Sequence, residues 1–194
     1  MRDTVQSIEE EYVRYKKLGE SALAQVADAD LSKEPPGNGN SLAALVWHIA
    51  GNLESRFTDF RTGDGEKPTR DRDSEFLSRD VTRAELMEKW ARGWAPLLAE
   101  VQALTDADLS AMVIIRTQPL RIDQALERSL AHAAYHIGQV VYLAKLWAGD
   151  RFNSLSIPIG QSAAFNARLA GSKAAYSATA YLETAAKPDA GRSQ

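Results

Sequence analysis

The sequence predicts an all-α protein of four main helices. Three observations carry that prediction. Apolar residues recur at i, i+3, i+4 and i+7 through four long segments. Clusters of proline, glycine and polar residues separate those segments. A single short stretch, MVIIRTQPL, is β-branched enough to be an extended connection or a small hairpin. The length of 194 residues suits one domain with a sizeable core, assigned to residues 1–168, followed by a partly disordered C-terminal extension, 169–194.

The first helix is expected from about Thr4 to Val26, with Val5, Ile8, Tyr12, Tyr15, Leu18 and Ala22 on one apolar face. Pro35, Pro36, Gly37 and Gly39 then break the chain. Asn40 or Ser41 can cap a second helix running to about Phe60. A polar connection, RTGDGEKPTRDRDSEFLSRDV, follows; loops this long are often functional. Thr82 and Glu85 have capping-box spacing and start a third helix ending near Leu104. Pro96 is its expected kink, and Trp90 and Trp94, four apart, share its face as core or interface anchors. The fourth and longest helix spans Arg121 to Ala148, stopped by Gly149. SLSIPIGQSAAFN then reads as an ordered loop leading into a short helix. The peptide DADLS occurs at 28–32 and again at 106–110, each time between two helices, of which the second carries histidine. That is the pattern of a duplicated helix pair; the alternatives are chance and turn chemistry shared by the two connections.

Composition removes several functions. The formal charge is −3 and the pI about 5.7, with basic residues interspersed among acids, so no nucleic-acid partner is expected. There is no cysteine, which excludes disulfides, thiolate metal sites and a cysteine nucleophile. No signal-like N-terminus or membrane-length apolar run is present, and a cytoplasmic protein without a membrane partner is expected.

The chain contains three histidines, His48, His132 and His136. His132 and His136 stand four apart in the fourth helix, so both imidazoles can reach one ion. His48 lies in the second helix on a stripe with Leu45, Ile49, Asn52, Leu53 and Arg56. In the fourth helix Ser129, His132, His136 and Gln139 form a polar line beside the apolar stripe. Two polar seams beside core faces are what a cavity between helices requires. Three neutral imidazoles leave a coordination position open, as in catalytic rather than closed structural zinc sites. Imidazole suits zinc, nickel, copper and iron alike. Ala133 follows His132 where a zinc protease carries glutamate, which disfavours that class. The competing reading is a polar cluster of packed histidines that binds no metal.

At LVWHIAGNLESRFTDF, TGDGEKPTRDRDSEF, LAHAAYHIGQVVYLAK and SLSIPIGQSAAFN the chain resembles the DinB-like (YfiT-like) superfamily of metalloenzymes, in a bacterial branch known as a domain of unknown function. The likeness covers about Asn40 to Asn166. It implies a four-helix bundle with up-down-down-up topology, the long second connection being the crossover. It implies His48, His132 and His136 as metal ligands, zinc or nickel as the ion, and a homodimer. Characterised relatives include transferases and isomerases that use low-molecular-weight thiols such as bacillithiol, mycothiol or glutathione. Without cysteine, any such thiol must arrive here as a cosubstrate. The leading expectation is a metal-dependent transferase or hydrolase acting on a small molecule. The alternative is a non-enzymatic dimeric metal-binding or stress-response protein with a structural or vestigial site.

Three further residues are candidates. Asn52 could hydrogen-bond a bound water or substrate, or make an ordinary interhelical bond. Arg56 could grip a substrate carboxylate, or sit in a surface or interface ion pair. Gln139 could orient a ligating histidine. Tyr135 and Trp47, each next to a histidine in sequence, point about 100° away and read as packing residues. The run Asp64 to Glu75 reads as a solvated loop that could also cover the site.

Overall fold

The computed structural model describes residues 1–170. Its elements are α1 (Asp3–Leu23), α2 (Leu42–Phe57), α3 (Arg83–Ala103), the strands β1 (Met112–Ile115) and β2 (Gln118–Arg121), α4 (Ile122–Ala148) and α5 (Ser162–Ala170). The protein is therefore mostly helical, with one small two-stranded sheet. The expected boundaries hold to within a few residues. The largest differences are at the ends of α1 and α2, where the chain leaves the helix three residues before Val26 and Phe60. At α2, Thr58 turns extended and Asp59 takes φ of +50°. Residues 171–194, most of the anticipated extension, lie outside the described residues.

The caps are those the sequence specifies. The Ser41 hydroxyl accepts from the Ala44 amide at 3.1 Å, opening α2. Thr82 and Glu85 close a reciprocal capping box on α3. Pro96 lies inside α3, which continues through it as one helix.

Helix α2 packs against α3 and α1 against α4, with α2–α4 and α1–α3 contacts joining the pairs. Between them lies one apolar cluster, in which Trp90 and Trp94 are fully buried with ring centroids 5.4 Å apart. A side chain of that size contributes about 2–3 kcal/mol on burial. The closest backbone approach in this core is at Gly93, where an added Cβ would overlap the Cα and Cβ of Ala50. Gly93→Ala is expected to destabilise the protein by at least about 1–3 kcal/mol, because the obstruction is backbone on a packed neighbour. A urea titration that gave an unchanged midpoint would contradict this packing.

The two DADLS peptides form matching 3₁₀ turns, at Asp28–Asp30 and Asp106–Ser110. Their surroundings match as well. Arg83 donates to the carbonyls of Leu23 and Val26 at the end of α1, at 3.0 and 2.6 Å. Arg2 donates to the carbonyls of Val101 and Leu104 at the end of α3, at 3.0 and 2.8 Å. These carbonyls hold equivalent positions ahead of each DADLS. Helices α1 and α3 are thus each capped at the C-terminus by an arginine from the start of the other.

The extended stretch is the antiparallel hairpin β1–β2, pairing Met112 with Arg121 through Ile115 with Gln118. Its two-residue turn places Arg116 and Thr117 at φ of +52° and +63°. Asp64 supports this turn by accepting from the amides of Arg116 and Thr117, both at 2.7 Å. Ser55 on α2 holds the same segment, donating to the Gly65 carbonyl and accepting from the Lys67 amide, each at 3.0 Å. The α2–α3 connection is thereby fastened to both hairpin and helix. No described helix is long and apolar enough to cross a membrane.

Candidate metal centre

The three histidines converge. His48 on α2 is buried, His136 on α4 is buried, and His132 one turn earlier is half-buried. One ring nitrogen from each lies within 4.8 Å of the others. The His48 and His132 Nε2 atoms are 3.1 Å apart. Two nitrogens bound to one tetrahedral ion at normal zinc–nitrogen lengths sit roughly 3.3 Å apart, so the spacing fits a shared divalent ion.

The other ring nitrogens define which edge faces inward. His48 Nδ1 is 2.8 Å from Glu75 Oε2. An ionised carboxylate only accepts, so Nδ1 carries the proton and the Nε2 lone pair is left for the centre. His136 Nδ1 lies 2.8 Å from Gln139 Oε1 and is oriented in the same sense. Carboxylate or carbonyl partners behind ligating imidazoles are the usual companions of a metal site. Glu75 is held in turn by Arg70, whose Nε and Nη2 donate to its two oxygens, each at 2.8 Å. Phe76 lies against His48, ring centroids 4.5 Å apart.

Electrostatics keep the set ready for a cation. Burial, then the neighbouring His136 and His48, then Arg56 and Arg70 hold the His132 imidazolium pKa down to about 3. Burial also lowers His136, its bond to Gln139 partly opposing this, while His48 and Arg72 lower it further. Both imidazoles are therefore neutral at pH 7, as ligation needs. Burial alone would raise Glu75, but hydrogen bonds from His48 and Arg70, with the Arg70 charge, hold it below the usual carboxylate range.

The histidines open into a cavity of about 400 Å³. Asn52 and Arg56 both line it; Gln139 stands behind His136 instead. Arg56 approaches Glu66 at 3.6 Å, while its buried Nη1 has no hydrogen-bond partner. Two expectations change. The segment Asp64 to Glu75 is not simply solvated, since Glu75 is buried against His48 and Asp64 braces the hairpin. Tyr135 is not a packing residue: it is 64% exposed at the cavity mouth, its ring 4.8 Å from that of His136. Trp47 does pack against the core, with Arg79 over its ring.

Sequence reasoning passed over Glu75, Arg70, Phe76 and Arg128. Arg128 had an available signal, standing one helical turn before His132 on the same face. Phe76 had a weaker one, as an aromatic within a charged run. Glu75 and Arg70 had none, because only the docking of the connection on α2 buries them.

A family model described as a protein of unknown function (DUF1572) matches residues 1–161. No curated protein matches the chain. Among solved structures, the chain is similar to one described as the conserved protein of locus from Enterococcus faecalis, with a TM-score of 0.59 and 22% identity. That match covers 77% of this chain and 99% of the other. At this identity the likeness speaks for the fold alone.

Proposed function

The chain belongs to the DUF1572 family, whose function is unknown, and from its site we propose a metal-dependent enzyme acting on a small molecule. One observation carries the reading: three imidazole nitrogens converge at one end of a cavity, with Glu75 and Gln139 bonded behind two of the rings. We assign His48, His132 and His136 as the ligands, and zinc or nickel as the ion. An ion held by three neutral imidazoles would supply Lewis-acid activation of a water or thiol at its open position. Glu75, kept ionised, would hold His48 in its ligating tautomer, and Gln139 would do the same for His136. Asn52 and Arg56 would orient the substrate within the cavity. The nucleophile is read as a low-molecular-weight thiol cosubstrate or water. A reducing, cytoplasmic setting suits a free thiol.

The α2–α3 and α1–α4 pairings support a DinB-like four-helix bundle of up-down-down-up topology with 61–81 as the crossover, and its domain is read as 1–168. A homodimer has a candidate surface on α4, where Tyr135, Tyr142 and Leu146 are 64%, 68% and 48% exposed.

The test is elemental analysis of protein purified without a histidine tag, followed by a panel of thiols and electrophiles and of hydrolysable esters and amides. About one equivalent of divalent metal and turnover that stops on chelation are expected. Metal without turnover would favour the non-enzymatic alternative. Substoichiometric metal, unchanged by added zinc or nickel, would remove the metal reading.

A further inference from the structure

The cavity in front of the histidines is lined by five arginines, Arg56, Arg70, Arg72, Arg116 and Arg128, and by no carboxylate, in a protein of net charge −3. Their neutralisation is uneven. Arg70 is committed to Glu75. Arg56, Arg70 and Arg116 share the single carboxylate Glu66, at 3.6, 3.5 and 3.2 Å. Among the described residues the acidic partner of Arg72 is the exposed Asp73, at 3.6 Å. Arg128 has no acidic partner within ion-pair distance among the described residues. Arg56 is confined and incompletely satisfied: its side chain is 11% exposed and its Nη1 lacks a hydrogen-bond partner. Burial pulls its pKa down, Glu66 partly offsets this, and Arg116, Arg128 and Arg70 add to the lowering.

A water-accessible cavity with this excess positive charge is complementary to an anion. We propose that the substrate is a small organic carboxylate, anchored by Arg56 and Arg128 with its reacting end toward His48, His132 and His136. This rests on reading the cavity as the substrate chamber of a metal-dependent enzyme. The guanidinium fork matches a planar carboxylate, and the cavity supplies side-chain forks. Phe76, Ile115 and Ala125 give it an apolar wall for a carbon skeleton, which an inorganic ion would not use. The placement also sets the scale. Arg128 stands about 6 Å along α4 from His132, and Arg56 about 12 Å along α2 from His48. A molecule of a few carbons spans that interval.

The experiment is calorimetric titration of the purified protein, its metal content measured on the same samples. The probes are acetate, succinate and benzoate against acetamide, succinamide and benzamide, with inorganic phosphate as a further arm. At least one acid is expected to bind about tenfold or more tightly than its amide. Arg128→Gln, at an exposed position, should reduce that preference about tenfold, and Arg56→Gln should reduce it as well. Arg61→Gln, whose arginine pairs with Glu100 away from the cavity, should leave it unchanged. Three results would overturn the inference: acids and amides that bind alike, a preference untouched by Arg128→Gln, or phosphate bound through Arg128 more tightly than every acid. Full metal content without acid preference would overturn the inference alone. Acid preference through Arg128 in a protein that takes up no metal would support it while removing the metal-dependent reading.

Discussion

Replacing His132 by alanine is expected to weaken divalent-metal affinity by a factor of about a hundred to a thousand while leaving the fold intact. Structural zinc sites release roughly 10–16 kcal/mol through four ligands, so one ligand accounts for about 2.5–4 kcal/mol. Among the described residues His132 has no partner behind it comparable to Glu75 or Gln139; it meets the other two rings and the cavity. Its loss takes one neighbour from His48 Nε2, which still faces the cavity rather than a closed core. In the metal-free protein the substitution should even add stability in mild acid, relative to the unsubstituted chain. Its His132 pKa is depressed to about 3 when folded, whereas an unfolded chain takes up the proton near 6.5. The unfolded state thus binds more protons between those values, and stability falls as pH drops below about 6.5. Alanine removes that contribution. Chelator competition, with thermal melts of stripped protein at pH 7 and pH 5, measures both effects. Undiminished metal retention by the variant would show that His132 is not a ligand.

How much of this was legible in the sequence follows from what fixes each part. The helices are legible because burial recurs with their own period: Val5, Tyr12 and Ala22 fall on one side of α1, and Leu126, Ala133, Ile137, Val140 and Ala144 on one side of α4. The histidine pair is legible for the same reason, since four residues return to the same face. The role of the long connection is not. Its composition, rich in Asp, Arg, Glu and Lys, describes a solvated loop, and nothing local distinguishes Glu75 from Asp71 or Asp73. What selects Glu75 is tertiary: the hairpin turn fastened by Asp64, the Ser55 hydroxyl, and a space on α2. That space did leave a trace. Gly51 interrupts an apolar helix, and a glycine there costs helix propensity unless packing requires it. Tyr135 was misjudged for the opposite reason. Its neighbours are ligands and core, yet no described element covers that side of α4.

Gly51 and Glu75 supply the second large effect, because one depends on the other. A Cβ at Gly51 would collide with Glu75 Oε1, so the glycine makes room for the carboxylate that orients His48. Glu75→Ala is expected to act twice. It should weaken metal binding about 10–100-fold by releasing His48. It should also destabilise the protein by about 3–5 kcal/mol, toward the lower end, because Arg70, only 5% exposed, loses its bidentate partner and keeps just Glu66 at 3.5 Å. Two further variants separate the effects. Replacing the pair together, Glu75→Leu with Arg70→Met, removes both the stranded charge and the acceptor behind His48, and should restore much of the stability but not the metal affinity. Gly51→Ala keeps both charges and gains up to about 1 kcal/mol of helix propensity, which offsets part of the crowding. It should nonetheless share the loss of metal affinity, since Glu75 can no longer sit where it meets His48. Equilibrium unfolding and chelator competition on the three variants resolve the two contributions. If metal affinity tracked stability across all of them, Glu75 would be a structural partner of Arg70 and not the group that positions His48.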